Sequence, residues 1–328
     1  MTGPGAPTTP AASIRVTEGP LSAGQAGQVL SLAAAAQAAD GVAPLSENVL
    51  LQIRHGSGAL ARDLLLTVAD SVAGYAHLDA PEAPEAGEAG DTGAEDPSAG
   101  DVSGELVVHP AHRRRGYGSA LVSAVTAGAG GHGVRVWAHG DLPAAAALAR
   151  SAGFTRVRAL WQLRMSLDDR ELPSPAFPAG VSLRTFRPGE DEDEWLAVNR
   201  RAFAHHPEQG SWTRKDLDVR EAEPWFDPAG FFIAERDGRM AGFHWTKVHP
   251  AGGDGGAPIG EVYVVGVDPA GQGGGLGKAL TLAGVAHLQR LGLSQVMLYV
   301  DESNTPAVRM YTSLGFGRWH TDVMYRRP

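Results

Sequence analysis

The sequence predicts an α+β chain of two tandem domains, each a mixed, mostly antiparallel sheet flanked by helices. Three observations carry that expectation. A strand–glycine loop–helix passage occurs twice: Val108-x-Pro110, Gly116-x-Gly118 and Ala120-Leu121 recur as Val267-x-Pro269, Gly275-x-Gly277 and Ala279-Leu280, all displaced by 159 residues. Downstream, Ala152-Gly153-Phe154 recurs as Leu314-Gly315-Phe316 at a displacement of 162, so one small indel relates the copies. Between the copies lies Leu172-Pro173-Ser174-Pro175-Ala176-Phe177-Pro178, a semi-extended, proline-rich linker. A repeat of this length marks tandem domains rather than a solenoid, and 328 residues suffice to give each its own core.

In chain order, residues 1–12 read as a disordered lead, Pro/Thr/Gly-rich and without the charged start and apolar core of a signal peptide. The first domain is expected over 13–170, the linker over 171–180 and the second domain over 181–328. Leu21 to Ala39 carries an alanine-rich helical pattern closed by Asp40-Gly41. Ser46 is placed to cap a short helix with Glu47 in its first turn. Leu64 to Val68 and Ser71 to Leu78 alternate as a hairpin. Asp79 to Asp101 holds eight acidic residues and no large apolar side chain before Asp101, and so predicts a disordered surface loop. A strand around Leu160 to Met165 closes the first half.

The second half restarts with a strand at Val181 to Phe186 and a helix at Asp191 to Phe203. Phe231 to Glu235 and Met240 to Val248 form a hairpin across Asp237-Gly238. A buried strand over Val262 to Val267 leads through the glycine loop into a helix over Leu276 to Leu291. A strand at Gln295 to Val300, a helix at Thr305 to Leu314 and a strand at Trp319 to Tyr325 complete it.

A formal charge of −9 and a pI near 5.7 argue against a general nucleic-acid binder. No apolar run is long enough to cross a bilayer. With no cysteine there is no disulfide framework, thiolate metal site or cysteine nucleophile. The expectation is a cytoplasmic, monomeric enzyme with no metal, no membrane and no nucleic-acid partner. His205, His206, His244 and His249 are numerous enough to suggest a metal, but their spacings fit no ligand set, so they read as polar packing or acceptor-pocket residues.

Strand, glycine loop and helix N-terminus together are a physical recipe for phosphate. Glycines let backbone N–H groups approach an anion, and the helix end adds unpaired donors and a positive dipole end. From the glycines alone, a tight turn holding nothing is an equal alternative.

Arg113-Arg114-Arg115-Gly116-Tyr117-Gly118 and Gln272-Gly273-Gly274-Gly275-Leu276-Gly277 resemble the acyl-CoA signature of the GCN5-related N-acetyltransferases (GNAT), in which Gln/Arg-x-x-Gly-x-Gly/Ala opens a helix. Asn304 to Phe316 resembles the late Asn…Tyr…Gly-Phe segment of the same family. Over nearly the whole chain, Asp40-Gly41-Val42-Ala43-Pro44, His206-Pro207-Glu208-Gln209-Gly210, Trp225-Phe226-Asp227-Pro228 and Gly242 to Pro250 are similar to the tandem branch that acetylates the cysteinyl amine of Cys-GlcN-Ins, the last step of mycothiol biosynthesis.

The resemblance implies acetyl-CoA as co-substrate. In the first half it would be held by Leu106, Val107, Val108, Arg114, Arg115, Gly116, Tyr117, Gly118 and Ser119. In the second, the counterparts are Val265, Gly266, Val267, Gln272, Gly273, Gly274, Gly275, Leu276, Gly277 and Lys278, with Asn304, Thr305, Pro306, Ala307, Val308 and Arg309. It also implies Glu261 as the base, Tyr311 as the acid that protonates the CoA sulfur, and Glu47, Glu208, Lys247, Glu261 and Tyr299 as acceptor contacts, with Glu47 drawing the first half into the acceptor site. The repeat shifts set Tyr311 against Ala149, Asn304 against Leu142 and Glu261 against Val102, so the first half keeps a phosphate loop without acid or base. One departure stands out: Gly273 and Gly274 occupy positions where the family usually has basic residues. Two other functions fit the same motifs: acetylation of another amine, such as an aminoglycoside or a peptide N-terminus, and CoA sensing without catalysis.

Overall fold

The computed structural model describes residues 12–18, 20–56, 61–69, 71–79, 100–204, 207–251 and 256–328. The expected lead, apart from Ala12, and most of the expected acidic loop lie outside them. Contacts divide the chain into two units: Met1–Ala159 with Thr321–Pro328, and Leu160–His320.

The first unit runs β1 (Ala12–Glu18), α1 (Ala23–Asp40), α2 (Glu47–His55), β2 (Arg62–Val68), β3 (Ser71–Leu78), β4 (Val102–Val108), α3 (Tyr117–Gly128), β5 (Val134–Ala138), α4 (Pro143–Ser151) and the start of β6 (Thr155–Ser166). Local chemistry sets the ends. Ser22 caps α1 in a reciprocal capping box with Gln25, and Gly41 ends it in the left-handed region at φ 72°. Ser46 caps α2 by accepting from the Val49 amide. β1 to β4 pair antiparallel in sequence order, and β4 pairs parallel with β5 across α3. Alternating side chains fill two cores, Leu64, Leu66, Ala76 and Leu78 with α3 on one face, and Leu65, Tyr75 and Val107 with α1 and α2 on the other.

The second unit holds the end of β6, then β7 (Val181–Thr185), α5 (Glu192–Ala202), α6 (Pro207–Gly210), α7 (Arg214–Glu221), β8 (Phe231–Arg236), β9 (Arg239–His249), β10 (Ile259–Val267), α8 (Leu276–Arg290), β11 (Gln295–Asp301), α9 (Thr305–Ser313) and β12 (Gly317–Arg327) as far as His320. β7 to β10 pair antiparallel, and β10 pairs parallel with β11 across α8. Under α5 and α7 lies an aromatic core in which Phe231 stacks on Trp245 at 4.6 Å and Trp195 meets both edge-on. Under α8 and α9 the core is mainly aliphatic, Val262, Leu282, Val285 and Leu298, with Tyr311 and Phe316 packed among them.

Each unit draws one strand from the other half of the sequence. Gln295–Asp301 of β11 pairs with the Leu160–Ser166 end of β6, so that end lies in the second unit. Val323–Arg327 of β12 pairs with β5 in the first. The two strands expected to close their own halves are thus exchanged. Charge fixes the second exchange: Arg326 donates to buried Asp101 at 2.6 Å, and Asp322 accepts from the Gly140 amide at 2.9 Å.

Candidate active site

In each unit the parallel pair opens before its strands end. β10 registers on β11 only from Gly260–Val262 against Val296–Leu298, although β10 continues to Val267. β4 registers on β5 from Val102–Glu105 against Val134–Trp137 and continues to Val108. Leu106–Val108 and Val265–Val267 are therefore the strand edges left without a strand partner on that side among the described residues. An unpaired edge offers N–H and C=O groups to an extended chain in the manner of an added strand.

A bulge sharpens the opening in the second unit. The β9 register slips between Val262 and Val264, leaving Tyr263 as the extra residue. The first unit has no slip there: Gly74 faces Val108, His77 faces Glu105 and Leu78 faces Gly104. Counting through the bulge, the counterpart of Glu261 is Ser103 rather than Val102. The conclusion that the first unit has no carboxylate at that position is unchanged.

Beyond the open edge both chains turn through a short 3-10 helix, Pro110–His112 or Pro269–Gly271, into the predicted loop. Gly116 and Gly275 are the N-caps of α3 and α8 at φ 82° and 81°, a left-handed conformation that costs a residue with a Cβ about 1 kcal/mol or more. Neither helix has a side-chain cap bond, so its first amides face the loop. Gln272, Gly273, Gly274 and Lys278 are exposed around that end, as are Arg114 and Arg115 in the first unit. Arg113 is otherwise engaged: its guanidinium grips Asp40 in two bonds of 2.6 and 2.7 Å. In the second unit Asp268 accepts from the Ala270 amide at 2.9 Å and takes Arg201 as its ion-pair partner.

Glu261 lies on the α5/α7 face of β10, 6 % exposed, opposite Lys247 on β9 and Met297 on β11. Its Oε2 is 2.6 Å from Nε2 of His249. Burial alone would raise the Glu261 carboxyl, but the His249 bond and the nearby Lys247 charge hold it below the usual range. The Lys247 ammonium sits over Trp225 at 4.3 Å and Tyr263 at 5.1 Å from the ring centres.

Tyr311 packs on the opposite face, among Val262, Val285, Leu298 and Phe316. Burial pushes its hydroxyl up to about 12, so it is a neutral phenol at physiological pH. Asn304 caps α9, accepting from the Ala307 amide at 3.2 Å with Pro306 following. Thr305, Pro306 and Arg309 are exposed at that helix start, and Ala307 and Val308 are half-buried. Tyr299 is 43 % exposed and its hydroxyl accepts from Gln162 at 2.7 Å.

The structure thus brings Glu261, Lys247 and Tyr299 to one face of the second unit's sheet and Tyr311 to the other. Glu47 opens α2 of the first unit, beside the Ser46 amide that donates to Glu105. The side chain of Glu208, and residues 205–206, lie outside what the structure describes. His244 is core packing: fully buried, it donates from Nδ1 to the Leu280 carbonyl at 2.7 Å, and burial lowers it to about 4. Sequence reasoning did not pair His249 with Glu261, although twelve residues across a hairpin is a separation that antiparallel pairing can close. It also missed a buried polar network in the first unit, where His77 bridges Asp63 at 2.8 Å and Asp79 at 3.2 Å beside Tyr75. Among the described residues no group of three His, Asp or Glu side chains could hold a metal, and no helix is long and apolar enough to cross a membrane.

Two open strand pairs, each followed by an uncapped glycine turn into a helix, define a tandem acyl-CoA transferase fold. Residues 194–316 match the Acetyltransferase (GNAT) family, and residues 65–156 match an Acetyltransferase (GNAT) domain. A GCN5-related N-acetyltransferase from Sphaerobacter thermophilus superposes with a TM-score of 0.66 at 25 % identity, covering 96 % of this chain and 95 % of that one. A tandem GNAT protein from the clavulanic acid biosynthesis pathway shares the fold at a TM-score of 0.69 and 22 % identity, covering 96 % of this chain and 98 % of that one. Among curated proteins, the mycothiol acetyltransferase of Thermobispora bispora is 60 % identical over 91 % of this chain and 95 % of its own. Those of Thermomonospora curvata and Acidothermus cellulolyticus are 57 % and 51 % identical, over 93 % and 96 % of this chain and 94 % and 95 % of theirs. The chain belongs to the GNAT acetyltransferases and, within them, to the mycothiol acetyltransferase family.

Proposed function

We propose that this acyltransferase moves the acetyl group of acetyl-CoA to the cysteinyl amine of Cys-GlcN-Ins, and that its second unit performs the chemistry. The observation that carries the assignment is the pair Glu261 and Tyr311, set on opposite faces of the sheet beside the opening after Val262 and Leu298. A thioester arm laid along Val265–Val267 passes between a base on one side and an acid on the other. Glu261 takes the proton of the incoming ammonium, a backbone N–H of the open edge polarises the carbonyl oxygen, and Tyr311 protonates the departing thiolate. The loop amides of Gln272 to Lys278 hold the pyrophosphate, with Asn304 to Arg309 lining the same cofactor.

Lys247 and Tyr299 then face the polyol acceptor through charged and neutral hydrogen bonds, joined in the family pattern by Glu208. The first unit binds acetyl-CoA at Leu106–Val108 and its Arg114–Ser119 loop without turnover, since Ser103 and Ala149 stand where the base and acid would be. Action as a cytoplasmic monomer is part of the same proposal, open to sedimentation and cell fractionation. The test is release of free CoA thiol with a panel of amines. Fast release with Cys-GlcN-Ins and slow release with aminoglycosides and peptide N-termini supports the assignment; no release with any amine refutes it.

A further inference from the structure

We propose that Trp319 is a specificity-determining residue of the C-terminal site, an aromatic platform on which the polyol end of the acceptor stacks; the proposal deepens the acetyl-transfer reading above and rests on it. Trp319 lies on the part of β12 that belongs to the second unit and is 56 % exposed. A single exposed apolar side chain is ordinary on a protein surface. This one is set apart by where it stands and by what holds it.

Strand register leads from the candidate base to the indole. Glu261 on β10 registers on Met297 of β11, and Met297 registers on Arg164 of β6. Residues directly opposite one another share a face, so all three side chains lie on the α5/α7 side of the sheet. β12 is the next strand beyond β6, and the Arg164 guanidinium sits over the Trp319 ring at 4.7 Å from its centre, which brings the indole to the same side. From Glu261 to Trp319 is three strand steps, roughly 14 Å. An acceptor with its ammonium at Glu261 carries two six-membered rings beyond the cysteinyl group, and laid across the strands it reaches about that far. Tyr299, 43 % exposed on β11, stands on the way.

The side chains between the two aromatics are tied together. Arg164 Nε donates to Gln162 Oε1 at 2.9 Å, and Gln162 Nε2 donates to the Tyr299 hydroxyl at 2.7 Å. With the guanidinium also packed on the indole, the surface is ordered before a ligand arrives, and docking loses little side-chain freedom. A cyclitol or pyranose ring suits such a surface. Its axial C–H bonds present a weakly positive side to the negative face of the indole, while its hydroxyls reach the polar groups around it. Trp319 is too distant from the amine to touch the reacting atoms. It acts on the part of the acceptor that distinguishes Cys-GlcN-Ins from a bare cysteinyl amine.

The experiment measures kcat/KM for Cys-GlcN-Ins and for L-cysteinamide, which keeps the ammonium and thiol but has no ring, in wild type, Trp319→Thr and Trp319→Phe. Threonine is a good strand former at an exposed position, and Tm checks that the fold holds. In Trp319→Thr the ratio of the two kcat/KM values should fall about tenfold, through a raised KM for Cys-GlcN-Ins, as the burial of much of a large ring is lost. KM for acetyl-CoA should not move. Trp319→Phe, a smaller platform, should lower the ratio about two- to threefold, and it carries the test alone if the threonine variant does not fold. An unchanged ratio, whether both acceptors keep their rates or lose them equally, overturns the platform. Wild-type turnover is read first. If the wild type does not acetylate Cys-GlcN-Ins, the acetyl-transfer reading falls, and Trp319 is judged by calorimetric titration with that compound. Binding that weakens about tenfold in Trp319→Thr supports the platform; no binding to the folded wild type, or equal binding to both, overturns it.

Discussion

Gly284 sits in the middle of α8 with the ring of His244 pressed against it. A Cβ there would lie 2.1 Å from Cε1 and 2.2 Å from Nδ1, where ordinary contact begins at 3.4 Å. His244 is fully buried on β9 and tied to the Leu280 carbonyl, so ring or helix must give by roughly 1.3 Å. Overpacking of that size costs about 1–3 kcal/mol, and loss of the His244–Leu280 bond adds about 1 kcal/mol. Replacing a mid-helix glycine returns about 1 kcal/mol. Gly284→Ala should therefore destabilise by roughly 2 kcal/mol, a fall in Tm of about 4–8 °C. Because α8 carries the phosphate loop, KM for acetyl-CoA should rise with it. The control is Gly27→Ala in α1, where a Cβ meets nothing within 4 Å, and which should stabilise by about 0.5–1 kcal/mol. Calorimetry on both variants decides. A Gly284→Ala protein as stable as the wild type, or more so, refutes the packing argument.

Tyr311→Phe should lower kcat by about 10²–10⁴-fold and leave KM for acetyl-CoA nearly unchanged, the pattern of an interaction made only as the thiolate leaves; steady-state kinetics with Cys-GlcN-Ins checks it. Gly273→Arg should tighten acetyl-CoA about two- to fivefold at low salt and lose the gain at high salt, measured by calorimetric titration. It should also lower Tm, since residue 273 sits at φ 94°. His77 is raised from 6.5 to about 9: burial opposes its charge, but bonds to Asp63 and Asp79 outweigh it. A raised folded pKa contributes stability that is full below the unfolded value and lost as pH climbs through the folded one. The first unit should therefore weaken between about pH 6.5 and 9, and urea titrations of His77→Gln should show a flatter decline over that window.

Much of this was legible because it is local. Two loops with the same glycine spacing announce two helix N-termini, and Ser22, Ser46 and Asp237-Gly238 mark caps and a turn by their own chemistry. Tyr311, Lys247 and Glu261 became candidates through family likeness, since no spacing joins them. What stayed hidden depends on partners far along the chain. The Tyr263 bulge is one extra residue inside an apolar run, and only the partner strand shows it. Nothing in the run Arg113-Arg114-Arg115 showed that Arg113 is claimed by Asp40, seventy-three residues earlier. The histidines carried no signature that separates His244, packed under α8, from His249, bonded to the candidate base.

The exchange of closing strands sets the order in which the chain can be finished. Translation yields the first half early, yet His139 waits for Asp322 and buried Asp101 waits for Arg326. Until the last eight residues arrive, buried Asp101 lacks its arginine, His139 keeps only Glu105 at 3.6 Å, and the free side of β5 is a bare edge, prone to mispairing. The half made first is the half completed last. A cut in the linker would therefore not separate two self-sufficient proteins, and a gene for either half alone would encode a sheet that lacks a strand.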